Sequence, residues 1–363
     1  MTAGTAGIAT PQHSPGQSTM MAFSPPGLRR RLTTLAALTL ALVTAVTATT
    51  AAAKPGTPPP ERQDVIMIGD RLVNVAYHLG VVPRAMSIRG DAWSFGRTLA
   101  KTSTMILGCP QYIVARDPEI VPRTLRETGI RRVLIEHTPG FDRLKPVRDP
   151  MKAVSMLRES GVLDDLDVSV EVVAFGDGLD AAIRRVGALL DRTEQAEALI
   201  SRRAAALEAA LARLPTAEPG TTVVILNGVH QDANGKGFVR VEVPGGYSDA
   251  FLLEPMGLTN AGGAFVEAGA TVRHGFATVG SLAPLTAIRP DVLVLTGDAD
   301  AVQRKLLAAR RQDPALAEIP AIASGHVFAL PAYVDSSVIE YPTVLRRWAS
   351  TLGPALHPAH RAK

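Results

Sequence analysis

Short runs, apolar apart from Ser87 and Glu171, alternate with amphipathic stretches along most of this chain. In the first half the runs at residues 65–68, 85–88, 133–135 and 170–173 are separated by helix-like text such as residues 72–79 and 118–128. In the second half the runs at 223–226, 292–295 and 327–330 alternate with helical text near 248–256 and over 299–311. A strand covered on both faces needs apolar side chains at every position, so such runs between helices predict largely parallel sheets. Between the halves, residues 179–214 contain no Pro and, after Gly187, no Gly. Within that stretch Leu199, Ile200, Leu207, Leu211 and Leu214 recur at three-, four- and seven-residue steps and share one helical face, while Arg202, Arg203, Glu208 and Arg213 point elsewhere. Asp191 with Glu194 resembles a capping box, and Pro215 stops the run. A helix from Glu194 to Leu214 is roughly 30 Å long, enough to cross between domains. The predicted fold class is therefore α/β: two lobes with mostly parallel sheets, bridged by a single long helix, with a ligand cleft between them.

The amino terminus changes the picture of where this protein works. Arg29, Arg30 and Arg31 precede an apolar run over residues 32–46, which ends in small residues including Ala51, Ala52 and Ala53. That order predicts a cleavable signal peptide over residues 1–53. The run is Ala-rich, interrupted by Thr and shorter than the ~20 residues a spanning helix needs, so the mature protein is expected not to span a membrane. The export route, Sec or twin-arginine, and the true start at Met1, Met20 or Met21 stay open. Residues 54–63 read as a Pro/Gly linker, 64–190 as the first lobe, 191–215 as the bridge, 216–352 as the second lobe and 353–363 as a polar tail.

Lys and Arg number 38 against 34 Asp and Glu. Three of those cations lie in the leader, so the mature chain is nearly neutral, and no basic stripe interleaved with aromatics supports a nucleic-acid partner. Cys109 is the only cysteine, which rules out an intramolecular disulfide, and it lies too far from the leader to carry a lipid anchor. These features predict a monomeric protein of a Gram-negative periplasm.

Signatures of catalysis are missing. The chain has no G-x-S-x-G elbow, no H-E-x-x-H pair, no Walker A loop and no paired CxxC, and Gly235-Lys236-Gly237 lacks the third glycine of a dinucleotide fingerprint. His137, His230 and His274 follow or approach strand ends without a local partner at ligand spacing, which leaves direct metal contact open. His78, inside a helical run, reads as a packing residue, and His357 and His360 as solvent-exposed.

Several segments in order resemble one family. Residues 70–81 look like its strand, helix and "ALG" entry, and 118–121 followed by 130–135 its "lEtIlalkPDlVi" helix and strand. Residues 246–260 are similar to "sflgdlLelaGgeN", 288–294 to "lnPDvilv" and 323–328 to "vrnGrVy". The family is the periplasmic substrate-binding proteins of ABC importers for ferric siderophores, heme and cobalamin, and the resemblance runs from Asp64 to about Leu352. It implies no enzyme activity and no intrinsic cofactor. The implied ligand is a transported metal chelate, captured in the cleft and passed to an ABC permease and its ATPase subunit. Strand-end loops should face that cleft. They supply Arg89, Asp91, Trp93, His137 and Phe141 from the first lobe, and Asn227, His230, Arg240, Tyr247, Tyr333 and Asp335 from the second. Planar Arg donors with flat aromatic faces suit a bulky, partly anionic chelate. The resemblance also implies one acid on top of each lobe for permease docking: Glu119 on the first and, because the matching position is Gly246, Glu242 or Asp249 on the second. A secreted enzyme with a dispersed cleft site and a bare-metal receptor of the same fold are the alternatives.

Overall fold

The structure is a computed structural model. It describes residues 59–90, 94–99, 102, 104–138, 151–231, 236–334 and 336–356. The expected signal peptide, most of the linker and the end of the tail lie outside these residues.

Among the described residues the first lobe is built on five strands: β1 (Glu61–Ile68), β2 (Val81–Ser87), β3 (Met105–Ile106), β4 (Arg132–His137) and β5 (Ser169–Ala174). Their order is β3-β2-β1-β4-β5, and every pairing is parallel. The apolar run in β1 shows why. Val65 and Met67 enter one core cluster while Ile66 and Ile68 enter the cluster on the other face of the sheet. With side chains alternating sides, both faces are covered and no position tolerates a polar residue.

The second lobe uses the same device, with Val223 and Ile225 on one side and Val224 and Leu226 on the other. Its strands are β6 (Thr222–Gln231), β7 (Lys236–Glu242), β8 (Thr259–Asn260), β9 (Val272–Arg273), β10 (Phe276–Thr278), β11 (Val292–Gly297) and β12 (Val327–Ala329). The path is β12-β11-β6-β7-β10-β9, with β8 added beside β6. β11 and β8 lie parallel to β6, and β12 parallel to β11. β7, β10 and β9 instead extend the sheet through antiparallel pairings. Only residues 232–235 separate β6 from β7, too few for a crossover back to the starting end, so the second strand runs in reverse.

The bridging helix spans Thr193–Leu211, about 28 Å at 1.5 Å per residue. Ala196, Leu199 and Ile200 belong to a first-lobe core cluster, whereas Ala210 and the partly buried Leu207 and Leu214 belong to a second-lobe one. Two details differ from expectation. Leu211, assigned to the buried face, is exposed. The capping box does not form, because Asp191 turns into the left-handed region (φ 56°) and Arg192 takes the N-cap position.

A second connection joins the lobes. After β12 the chain returns, and Val338 and Ile339 insert into the first-lobe core. Glu340 accepts hydrogen bonds from Asn74 Nδ2 at 2.9 and 3.0 Å and lies 2.6 Å from His78 Nε2. The bridging helix adds Arg203 Nε, which donates to the Val338 carbonyl at 3.0 Å. The chain then re-enters the second lobe as helix Tyr341–Leu356, which buries Leu345, Trp348 and Leu352; Trp348 Nε1 donates to Pro331 O at 2.9 Å.

Candidate functional site

The hairpin of β6 and β7 places Asn227 directly opposite Arg240, so residues distant in sequence share one face. The neighbouring strand β10 sets Phe276 opposite Glu242 and Thr278 opposite Arg240 on that same face. Val239, Val241 and Ala277 alternate onto the other face, where the first two enter the core. Arg240 is fixed from two sides. Its Nε donates to Asn227 Oδ1 at 2.8 Å, and its guanidinium carbon lies 3.9 Å over the Phe276 ring. Asn227 is held in turn, because its Nδ2 donates to Thr296 Oγ1 at 2.8 Å. The other guanidinium nitrogens of Arg240 make no hydrogen bond among the described residues. A preoriented planar donor with an aromatic face beside it can receive a carboxylate or catecholate oxygen at little further ordering cost. Burial pushes the Arg240 guanidinium below its usual range, opposed by the charge of Glu242.

Glu242, one of the two acids offered for second-lobe docking, is only 3% exposed, and Asp249 only 8%. Neither presents a carboxylate at the surface, so both are corrected to structural roles. Glu242 Oε1 accepts the backbone N–H of Ser248 at 2.7 Å, and Asp249 Oδ2 accepts that of Gly245 at 2.6 Å. Burial pushes the Glu242 carboxyl up to about 7, the Ser248 hydrogen bonding and Arg240 opposing it. Gly246 is where the family pattern places the acid; a Cβ there would lie 2.5 Å from Glu242 Oε1. A side chain at that position would force the buried, hydrogen-bonded carboxylate to move.

Tyr333, expected to line the cleft, is also a core residue. It is 4% exposed and packs against Phe251 and Tyr341 with ring centroids 5.1 and 5.2 Å away. Tyr247 is half-buried against the same core. His230 sits in β6 by its backbone, and His274 occupies the β9–β10 turn at φ 51°.

In the first lobe, polar groups gather where β1, β2 and β4 end. Arg89 is not left open toward a ligand. Its backbone N–H and Nε donate to the two oxygens of buried Asp70 at 2.7 and 2.5 Å, and its Nη2 donates to Ser336 Oγ at 3.0 Å. Ser336 Oγ donates to Asp70 Oδ2 at 2.9 Å. Arg89 thus clamps the returning segment onto the first lobe. Beside it, Glu136 Oε1 accepts Arg71 Nη1 at 2.8 Å, while Oε2 accepts the backbone N–H groups of Arg71 and Leu72 at 2.8 and 3.2 Å. Those donors open helix Asp70–His78, so the carboxylate caps its positive end. Gly69, at φ 131°, has no room for a side chain: a Cβ would meet that of Glu136 at 2.2 Å.

His137 is half-buried at the end of β4, and its carbonyl accepts the Phe175 N–H at 2.8 Å. His78 is the packing residue the sequence suggested, stacked on Phe95 at 5.6 Å. Glu119 is exposed at the start of helix Ile120–Thr128, 3.8 Å from Arg126. Asp91, Trp93, Phe141 and Asp335 lie outside the described residues.

The sequence reading missed Asp70, Arg71, Glu136, Thr296, Phe276 and Ser336. The alternation Phe, Val, Arg, Val, Glu over residues 238–242 marks the strand that carries Arg240, with one covered face, but points to none of those six.

Residues 166–334 match the family model described as periplasmic binding protein. No curated protein matches the chain. Among solved structures, the periplasmic heme-binding protein BhuT, in complex with two hemes, is similar at 19% identity and a TM-score of 0.52, covering 82% of this chain and 99% of its own. The apo form of the periplasmic heme-binding protein RhuT from Roseiflexus sp. RS-1 matches at 19% identity and a TM-score of 0.51, covering 82% of this chain and all of its own (100%). The fold is that of the two-lobed periplasmic binding proteins. The resemblance read from the sequence to the substrate-binding proteins of ABC importers agrees with both findings. No helix among the described residues is long and apolar enough to cross a membrane, and those residues contain no group of three His, Cys, Asp or Glu able to hold a metal ion.

Proposed function

We propose that this chain is the periplasmic solute-binding component of an ABC import system, which captures a metal chelate and delivers it unaltered to a permease and its ATPase subunit. The observation that carries this reading is the match to periplasmic binding proteins over residues 166–334, because that span contains the Arg240 site itself. The site's chemistry supports a chelate with anionic oxygens and a flat apolar portion, a description that fits heme, a ferric siderophore or a corrinoid. The two heme-binding proteins of like fold favour testing heme first.

Titration with hemin, a ferric catecholate and cobalamin should give saturable, reversible binding of one of them, with the chelate recovered intact. Chemical turnover of the bound molecule would instead favour a secreted enzyme. Arg240→Ala should weaken the bound chelate roughly ten- to hundredfold, since a charge-assisted hydrogen bond contributes about 1.5–3 kcal/mol. Asn227→Ala should have a smaller effect in the same direction, because Asn227 orients Arg240. Unchanged affinity in both folded variants would remove this hairpin from the binding site.

Glu119 is proposed as the first-lobe docking acid, acting through complementary charge. Glu119→Arg is expected to leave chelate affinity intact and to abolish ligand-stimulated ATPase activity in the reconstituted transporter. Wild-type stimulation by that variant would reassign the residue to helix-end electrostatics alone.

A further inference from the structure

A concavity of about 410 Å³ lies where the bridging helix ends against helix Tyr341–Leu356. Ala210 and Arg213 line it from one side, and Thr343, Arg346, Arg347 and Ser350 from the other. Helical periodicity explains the grouping. Residues 343, 346, 347 and 350 recur at three- and four-residue steps and form one face, while Leu345, Trp348 and Leu352 turn into the core. Arg213 follows Ala210 by three residues, which brings it to the same side.

Three arginines thus line one hollow, and all three are exposed. None of them makes an ion pair or a side-chain hydrogen bond among the described residues, and none of the described residues lining the hollow is acidic. Like charges lining one hollow repel each other, the more so beside a low-dielectric wall. A multivalent anion would remove that repulsion and fill the guanidinium donor forks, with the hydroxyls of Thr343 and Ser350 as further donors. The arrangement is separate from the Arg240 site. Arg213 lies ahead of the amino-terminal end of β6, whereas Asn227 lies within the strand and pairs with β7.

The geometry points to a phosphate-binding site in this hollow, for a free polyphosphate or for the phosphate of a lipid headgroup. It is independent of the transport reading, because it uses no residue of the chelate site. The probes are pyrophosphate, followed by calorimetry at low salt, and vesicles of phosphatidylglycerol compared with phosphatidylcholine, followed by co-sedimentation. Both use the full chain, so the leader is common to every variant. Arg346→Gln/Arg347→Gln removes two forks, and Arg213→Gln removes the third from a different helix. Arg310→Gln/Arg311→Gln, on helix Ala299–Gln312, removes the same charge elsewhere on the lobe.

At least tenfold weaker pyrophosphate binding is expected in both hollow variants, with wild-type affinity in the control. If phosphatidylglycerol vesicles also retain the chain, and pyrophosphate or the hollow variants release it, the lipid headgroup is the source. Binding of pyrophosphate without vesicle retention identifies a soluble source. Equal losses in the hollow variants and the control, or no binding of either probe, would overturn the site and leave the arginines as solvated surface charge.

Discussion

Glu136→Ala is expected to lower the unfolding free energy by about 3–5 kcal/mol, the range for removing one partner of a buried ion pair. The side chains of Arg71 and Glu136 are only 2% and 5% exposed. Loss of the carboxylate removes the Glu136 half of this buried pair from a side chain that stays desolvated. It also leaves the first N–H groups of helix Asp70–His78 without the acceptor that now binds them at 2.8 and 3.2 Å. Since whole domains are stable by only about 5–15 kcal/mol, much of the first lobe's margin is at stake. Glu136→Gln should fall between, keeping an acceptor oxygen but losing the charge. Replacing both partners by leucine should recover part of the loss, because an apolar pair needs no desolvation of charge. Denaturant midpoints of the four proteins decide the matter, and a loss below about 1 kcal/mol in Glu136→Ala would show that the pair is not a main support of this helix.

A pH-dependent difference should separate Glu242→Gln from the parent. Burial raises the folded-state value of this carboxyl from 4.5 to about 7. Between those values the folded protein holds a proton that the unfolded chain has released. Stability must therefore fall as pH rises through this window, and the loss is complete above about 7. A shift of that size corresponds to about 3 kcal/mol at 1.36 kcal/mol per unit. Gln retains an oxygen for the Ser248 N–H and carries no charge at any pH. The variant should match the parent near pH 5 and exceed it by up to about 3 kcal/mol near pH 8. A difference that is constant across that range would show that Glu242 does not titrate there.

The parallel framework was legible because it depends on the alternation of single residues. Val65 and Ile66 must face opposite clusters, and a run of four apolar residues suffices to say so. The antiparallel extension was hidden for a physical reason: β9 and β10 are two and three residues long, too short to show a period. At the site, Asn227 and Arg240 were each chosen from the sequence, but their partnership depends on the register of β6 with β7. Glu242 and Tyr333 were misjudged because residue type says nothing about depth. A carboxylate becomes internal only where residues such as Gly246, distant from it in role but close in space, leave it room. Arg89 was read as a cleft residue beyond the end of β2, and its partner Ser336 comes from the far end of the chain.

That returning segment has a consequence for the order in which the molecule can assemble. Val338 and Ile339 complete a cluster whose other members include Val65, Leu72 and Ile183, and Ser336 and Glu340 satisfy polar groups on Asp70 and Asn74. As the polypeptide emerges from the ribosome, its earliest-made lobe therefore lacks core residues that are among the last to be added. Its packing therefore cannot be completed vectorially, before the next lobe is synthesised. The first lobe reaches its final packing only after the second has been made.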